Sequence, residues 1–503
     1  MRGGGGSEII GAMHIAHVAS EMAPLAKVGG LGDVVGSLPR AQARQNTEVS
    51  VVLPAYARVL DKLDLRSAPE RRISYRLDGG EVRGGVIEVP FQGLRLLLVR
   101  RDEIFDREGI YDDGITAYDD NGPRFAWFAG AALATLRGLP RPPEAILAHD
   151  WPSSLVPVLM RVHAIPSDPL AHTASIQVIH NLAHQGVFPL DLGRRLELPE
   201  IYLDADGLEA LGALNTLKGG ILFATKVVTV SPTYAEEIVW PALGEGLDGA
   251  LLSRGDDLSG VLNGIDTAVW NPSADEFLPA RYTSRGFTGK AKCKAALQEE
   301  LGLRVDPTIP LFGIVSRVDP QKGIDLVEQV APWLVEQHAQ LALLGSGRHG
   351  MLAPLHGLAA IWRESISINE RFDEGLAHRI YGGADFFLMP SRFEPCGLGQ
   401  MVALRYGTPP IVRRTGGLAD TVQDVFEHRR RGTGFVFNTP DAGGLRWACE
   451  RALEMFRKDP QSLARLRRRG MQRDFSWDHS AQEYQRLIRR AILREQRRVM
   501  TID

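Results

Sequence analysis

Ser391–Asp420 reads SRFEPCGLGQMVALRYGTPPIVRRTGGLAD, and this stretch decides the fold. An apolar run, Phe386–Met389, precedes it and is ended by Pro390, as a buried strand would be. A polar loop with Arg392, Glu394 and Cys396 follows, and Gln400–Arg405 has helical character. Pro409–Val412 begins the next strand, and Thr415-Gly416-Gly417 opens another helix. The whole is a strand–loop–helix–strand unit of a parallel sheet, in which ligands collect where strand ends meet helix starts. Gly397 and Gly399 let backbone N–H groups come close to an anion. Glu394, three residues before Gly397, has the wrong charge for holding phosphate and suits hydroxyls or a developing cation. An anion cradle beside a lone carboxylate points to a phosphate-bearing ligand with a sugar-like reacting end.

The same alternation extends both ways. Towards the N-terminus of this unit lie the runs Leu311–Val315 and Leu341–Leu344, and beyond it lies Gly434–Phe437. Further back is a separate series, Met13–Ala19, Val49–Leu53, Leu96–Val99, Ala145–Ala148, Ile176–Ile179 and Val227–Val230, with helical stretches between. The turn-rich text after Val261 (VLNGIDTAVWNPSADEF) separates the two series. The reading is α/β: two doubly wound parallel-sheet domains in tandem, residues 13–262 and 263–474. A glycine-rich tail over 1–12 precedes them, and a closing amphipathic helix over 475–503 follows with a solvated arginine face. One echo supports the tandem: KVGGLGDVV at Lys27–Val35 resembles RTGGLADTV at Arg414–Val422, each at a helix start.

Composition excludes several classes. The 503 residues exceed one ordinary core, and 44% hydrophobic with 24% charged content is globular rather than disordered. A formal charge of −3 argues against nucleic acid as the main partner. No run approaches the roughly 18 apolar residues of a membrane span. Three cysteines, Cys293, Cys396 and Cys449, form no C-x-x-C pair, so neither a zinc site nor a disulfide framework is expected, which fits a reducing cytoplasm.

Chemistry-bearing residues fall at strand ends. Lys27 with Gly29, Gly30 and Gly32 follows the first strand, a plausible phosphate site whose plainer reading is a tight turn with a solvated lysine. His149, Asp150 and Trp151 end one strand, and His180 and Asn181 end another; singly, such histidines are more often structural than catalytic. Arg317 and Lys322, five apart after Leu311–Val315, could clamp a diphosphate as fork and point charge. Gly345-Ser346-Gly347-Arg348-His349-Gly350 has the G-x-G-x-x-G form of a dinucleotide site, with Glu364 in range as the acid it requires, so hydride transfer is an alternative. Asp204-Ala205-Asp206 could hold a divalent ion but reads as a solvated turn.

Taken together, SEMAPLAKVGGLGD, HDW, HNLAHQG, VSPTYAEEI, GVLNGID, VSRVDPQKG, SRFEPCGLGQ and RRTGGLADTV resemble, in order along almost the whole chain, the motifs of the bacterial glycogen synthases and plant starch synthases. That resemblance implies the GT-B architecture, two Rossmann-like domains facing across a cleft, with the last helix packing back on the first domain. It implies transfer of glucose from ADP-glucose to the 4-hydroxyl at the non-reducing end of an α-1,4-glucan (glycogen or a maltooligosaccharide), with retention and without a metal or other cofactor. By matching motif, Lys27, Gly29 and Gly30 would meet the donor's diphosphate, with Arg317 and Lys322 holding it from the other domain. Glu394 would orient the donor glucose and stabilise positive charge at its anomeric centre, with His180 and Asp150 lining the same site. Phe372 falls where the family stacks an aromatic on the base, the alternative being a core phenylalanine. Asn263, Cys396, Gly397, Leu398 and Gly399 would line the donor site, Cys396 as a wall rather than a nucleophile. The chain departs from the family pattern at Pro152, His184 and Gly399. Rival readings are a UDP-glucose donor, or a non-catalytic glucan-binding relative.

Overall fold

A computed structural model describes residues 12–347 and 350–500, so all but the last residue of the expected tail over 1–12 lies outside the described residues. The chain divides into two compact units: one runs to Val230 and adds Glu237–Val261 and the segment from Trp477, the other holds Ser231–Glu236 and Leu262–Ser476. Six residues inside the 13–262 span, Ser231–Glu236, thus cluster with the second unit.

The first unit is built on a nine-stranded sheet. Its strands are β1 (Met13–Val18), β2 (Thr47–Pro54), β3 (Arg71–Leu77), β4 (Gly80–Phe91), β5 (Leu94–Arg100), β6 (Ala145–His149) and β7 (Ala174–Ile179). A small antiparallel sheet, β8 (Val187–Pro189), β9 (Glu209–Ala210) and β10 (Ala213–Asn215), intervenes before β11 (Lys226–Thr229) and β12 (Leu258–Gly260) complete the nine. The order is β12-β11-β7-β6-β1-β2-β5-β4-β3, parallel from β12 to β5, with β4 and β3 added antiparallel at one edge. Strands β1, β2, β6 and β7 are buried along almost their whole lengths, which is why they are near-continuous apolar runs. β3 and β4 alternate buried and exposed residues and turn on Asp78-Gly79, both at positive φ. The helix Asn121–Arg137 buries Phe125, Trp127 and Phe128 in this unit's core. The closing helix Trp477–Met500 adds Ala481, Tyr484 and Ile488 to the same core, and Asp478 pairs with Arg44 at 2.6 Å.

The second unit carries six parallel strands, β13 (Leu311–Val318), β14 (Gln340–Gly347), β15 (Ile366–Glu370), β16 (Phe386–Met389), β17 (Pro410–Arg413) and β18 (Phe435–Phe437), in the order β15-β14-β13-β16-β17-β18. Helices on the sheet contribute Leu326, Val327, Leu334, Leu445 and Leu453 to its core. Both sheets have a central reversal of strand order, at β1 between β6 and β2, and at β13 between β14 and β16. A doubly wound sheet opens a crevice at the carboxyl ends of the strands flanking such a reversal.

One alternative falls away here, at Gly345, and one expected turn is found, at Asp204. Gly345 and Gly347 belong to β14 rather than to a turn, and a Cβ on either would lie 2.7 Å from Ser316 O or 2.3 Å from Val318 O, so they let β14 pack on β13. The next strand ends on Glu370, not near Glu364, and Glu370 meets His356 at 3.2 Å; Arg348 and His349 lie outside the described residues. In Asp204-Ala205-Asp206 the Asp204 carboxylate accepts the backbone N–H of Asp206 and of Gly207, making a side-chain-closed turn.

Candidate functional site

In the first unit the loop after β1 is fastened from beneath. Buried Glu21 accepts the N–H of Val28 at 2.7 Å and of Gly29 at 2.9 Å through Oε2, and the Tyr111 hydroxyl at 2.9 Å through Oε1. This fixes the approach to the helix Gly30–Ala43. Gly32 is needed for that closeness, since a Cβ there would lie 2.9 Å from Lys27 Cγ. A Cβ on Gly29 or Gly30 would meet nothing within 4 Å, so the glycine pair leaves backbone bare toward open space at a helix N-terminus. Lys27 rests on Asp33 at 2.7 Å, half-exposed.

The loops after β6 and β7 meet beside it. Asp150, buried and at φ 51°, accepts the His180 backbone N–H at 2.7 Å. Burial, reinforced by the charge of Glu21 and offset by bonds from the His180 and Asn181 amides, pushes its carboxyl up to about 7. His180 Nε2 lies 2.9 Å from His149 Nδ1, and His149 Nε2 lies 2.9 Å from His17 Nδ1. His17 Nε2 lies 2.8 Å from Gln42 Oε1. Burial lowers His17 to about 4, His180 to about 3 and His149 well below its ordinary value, so all three are neutral near pH 7. His180 Nδ1 is buried with no hydrogen-bond partner.

In the second unit Glu394 lies in the loop after β16, 5% exposed. Its Oε2 receives the Lys322 ammonium at 2.6 Å and the Ser391 hydroxyl at 3.0 Å. No carboxylate is hydrogen-bonded to it among the described residues. The loop is locked from two sides: Arg413 donates to the Ser391 and Arg392 carbonyls, and the Gly417 N–H donates to Glu394 O at 3.1 Å. Arg317, at the end of β13, has a largely exposed side chain with Asp319 3.7 Å away. Cys396 is buried, and burial pushes its thiol up to about 12, which suits a wall and not a nucleophile. The Asn263 N–H donates to that sulfur, while Asn263 Oδ1 is buried without a partner. Gly397 has φ 73°, which favours glycine, and the helix Gly399–Arg405 starts directly after Leu398. A Cβ on Gly399 would lie 3.2 Å from both Phe387 and the Tyr381 hydroxyl, so the departure there matches a crowded position. Phe372, just past β15, is 88% exposed, which removes the core reading.

The structure therefore gathers Lys27, Gly29, Gly30, Asp150 and His180 at the carboxyl ends of the first sheet. It gathers Arg317, Lys322, Phe372, Glu394, Cys396, Gly397, Leu398 and Gly399 at those of the second. Sequence reasoning missed Glu21, Ser391, His17 and Gln42; Glu21, His17 and Gln42 act through partners distant in the chain, whereas Ser391 meets Glu394 only three residues on.

Comparison with known proteins gives two family matches, the starch synthase catalytic domain over residues 14–253 and glycosyl transferases group 1 over residues 299–473. Glycogen synthase 2 of Geobacter sulfurreducens is 44% identical over 480 residues, covering 95% of this chain and 99% of that protein. Glycogen synthase of Myxococcus xanthus is 42% identical over 484 residues, with 95% and 99% covered. Among solved structures, the catalytic domain of starch synthase IV from Arabidopsis thaliana, bound to ADP and acarbose, superposes with a TM-score of 0.85 at 33% identity, covering 96% of this chain and 99% of that one. No described helix is long and apolar enough to cross a membrane.

Proposed function

Because the chain belongs to the glycogen and starch synthase family of GT-B glycosyltransferases, we propose that it transfers glucose from ADP-glucose to the non-reducing 4-hydroxyl of an α-1,4-glucan with retention, acting in the cytoplasm. The observation that carries the reading is the buried Glu394 carboxylate fixed by Lys322 and Ser391 at the reversal point of the second sheet. A nucleotide-sugar donor presents a diphosphate leaving group and an anomeric carbon that becomes cationic as the bond breaks. Lys322 serves both ends of that bond: it holds Glu394 in place and faces the developing phosphate charge, which Arg317 shares.

The other residues take their places on the same donor. Lys27 and the bare backbone at Gly29 and Gly30 meet the diphosphate, and Phe372 stacks on the base. His180 and Asp150 contact the donor glucose. Asn263, with its unpaired Oδ1, and Cys396, Gly397, Leu398 and Gly399 wall the site. Retention by double displacement wants a second carboxylate close to the first. Glu394 has cationic and hydroxyl partners instead, which supports a front-side reaction in which the leaving phosphate takes the acceptor's proton. ADP in the Arabidopsis neighbour supports the adenine nucleotide.

The test is glucose incorporation into glycogen from ADP-glucose and UDP-glucose in parallel, with and without chelator, for wild type and Glu394→Ala. ADP-glucose is expected to be strongly preferred, chelator to leave the rate unchanged, and the variant to lose most activity. Preference for UDP-glucose overturns the donor assignment, and glycogen binding without transfer from either donor overturns the enzyme.

A further inference from the structure

Three histidines stand in file on adjacent strands of the first unit, His17 on β1, His149 ending β6 and His180 just past β7, and only the last has a role in the reaction above. The rings run end to end and nearly coplanar, with centroids 5.2 Å apart and interplanar angles of 15° and 24°. Each of the two N···N junctions is 2.9 Å, short enough to require one proton between the rings: two N–H groups would collide, and two lone pairs would repel. A neutral imidazole has one N–H and one bare nitrogen. A proton choice at one end therefore fixes every ring in the file.

That end is Gln42, on the helix Gly30–Ala43, whose amide oxygen faces His17 Nε2 at 2.8 Å and can only accept. His17 then carries its proton on Nε2, and so in turn do His149 and His180. What remains is His180 Nδ1, a bare lone pair, buried and without a hydrogen-bond partner. We propose that Gln42 is a positioning residue which, through His17 and His149, holds His180 in the Nε2–H form so that Nδ1 accepts a hydrogen bond from a donor-sugar hydroxyl. This rests on His180 being the donor-sugar contact proposed above. The orphaned lone pair is a cost in the free protein that a ligand hydroxyl removes, and a sugar lacking that hydroxyl leaves it unpaired.

The test is 15N NMR on protein labelled at both ring nitrogens of histidine, with His180 assigned by loss of its signals in His180→Asn. In wild type at pH 7, His180 Nδ1 is expected bare and Nε2 protonated. Gln42→Met, similar in shape but unable to accept, is expected to let protonated Nδ1 appear at His180. It should raise KM for ADP-glucose about three- to tenfold, with a smaller change in kcat, as the competent form becomes a fraction of the population. His17→Phe is expected to do the same, and the double variant to be no worse than either, because both cut one file. Protonated Nδ1 in the wild type, an unmoved tautomer in both single variants, or additive losses would each overturn the proposal. The wild-type spectrum needs no variant to fold. It also separates the two readings: absence of glucosyl transfer by the wild type sinks the reaction while the tautomer stays measurable.

Discussion

Lys322 sets its ammonium 2.6 Å from the carboxylate of Glu394, 72 residues further along the chain, with both side chains largely buried. A buried charge pair is weak evidence for stability, but removing one partner strands the other in a poorly solvated place. Lys322→Ala is thus expected to cost stability of about 3 kcal/mol and, under the proposed reaction in which the same ammonium faces the leaving phosphate, to lower kcat by about 10²- to 10³-fold. Glu394→Ala should be at least as severe in kcat, and the double variant little worse than the more severe single one, because the two act as a unit. Turnover and thermal melts of the three variants check this; multiplicative losses in kcat would show that the two residues do not act as a unit.

Phe372 holds its ring in solvent at the end of β15, an arrangement that contributes little to folding. Phe372→Ala is expected to leave the melting temperature within experimental scatter, as surface substitutions usually stay within about 0.5 kcal/mol. KM for ADP-glucose should rise roughly tenfold from the lost stacking, and Phe372→Tyr should restore it. An unchanged KM in the alanine variant would remove Phe372 from the donor site.

The first unit carries two opposing pH dependences. Burial lowers His17 to about 4 and His180 to about 3, so between those values and about 6.5 the unfolded chain binds more protons and stability falls as pH falls. Burial raises Asp150 to about 7, so between about 4 and 7 the folded chain binds more protons there, and stability falls as pH rises through 7. Asp150→Asn keeps an acceptor for the His180 N–H and tolerates the positive φ. It is expected to melt several degrees higher than wild type at pH 8, with the gap closing toward pH 4. A melting series over that range decides; an equal gap at every pH would exclude titration of Asp150 as the cause.

The parallel strands were legible because they are buried on both faces and so appear as short unbroken apolar runs. The β3–β4 hairpin was not, because its exposed face carries Arg72, Ser74, Arg76, Glu81 and Arg83, and no apolar run survives. Its signal was Asp78-Gly79 between alternating segments, a pair suited to the tight hairpin turn seen there. Lys27, Asp150, His180, Lys322 and Glu394 were legible as strand-end residues, but their partners were not. Nothing in the local text ties Glu21 to Tyr111, 90 residues on, or His17 to His149, 132 residues on. The histidine pairing exists only once strand order makes β1 the neighbour of β6.

The repeated glycine pair gives the sharpest test of which loop is packed and which is open. Gly29-Gly30 and Gly416-Gly417 share a motif and both stand at helix starts, yet their surroundings are opposite. A Cβ on Gly416 would lie 2.0 Å from Glu394 O, and one on Gly417 would lie 2.1 Å from Cys396 O; Gly416 also has φ 42°. Either substitution must push the Glu394 loop away, since the obstruction is backbone that cannot rotate aside. Gly417→Ala is therefore expected to lower the melting temperature and to cut kcat by tenfold or more, as an ångström-scale misplacement of Glu394 would. Around Gly29 there is space, and its φ of −136° suits alanine, so Gly29→Ala is expected to fold with an unchanged melt. Its effect should fall on KM for ADP-glucose, because the added methyl group occupies room that the diphosphate needs. Melts and steady-state kinetics on the two variants separate these outcomes. A Gly29→Ala protein with wild-type KM would show that the open backbone there faces no ligand, and would leave the diphosphate to the side chains of Lys27, Arg317 and Lys322.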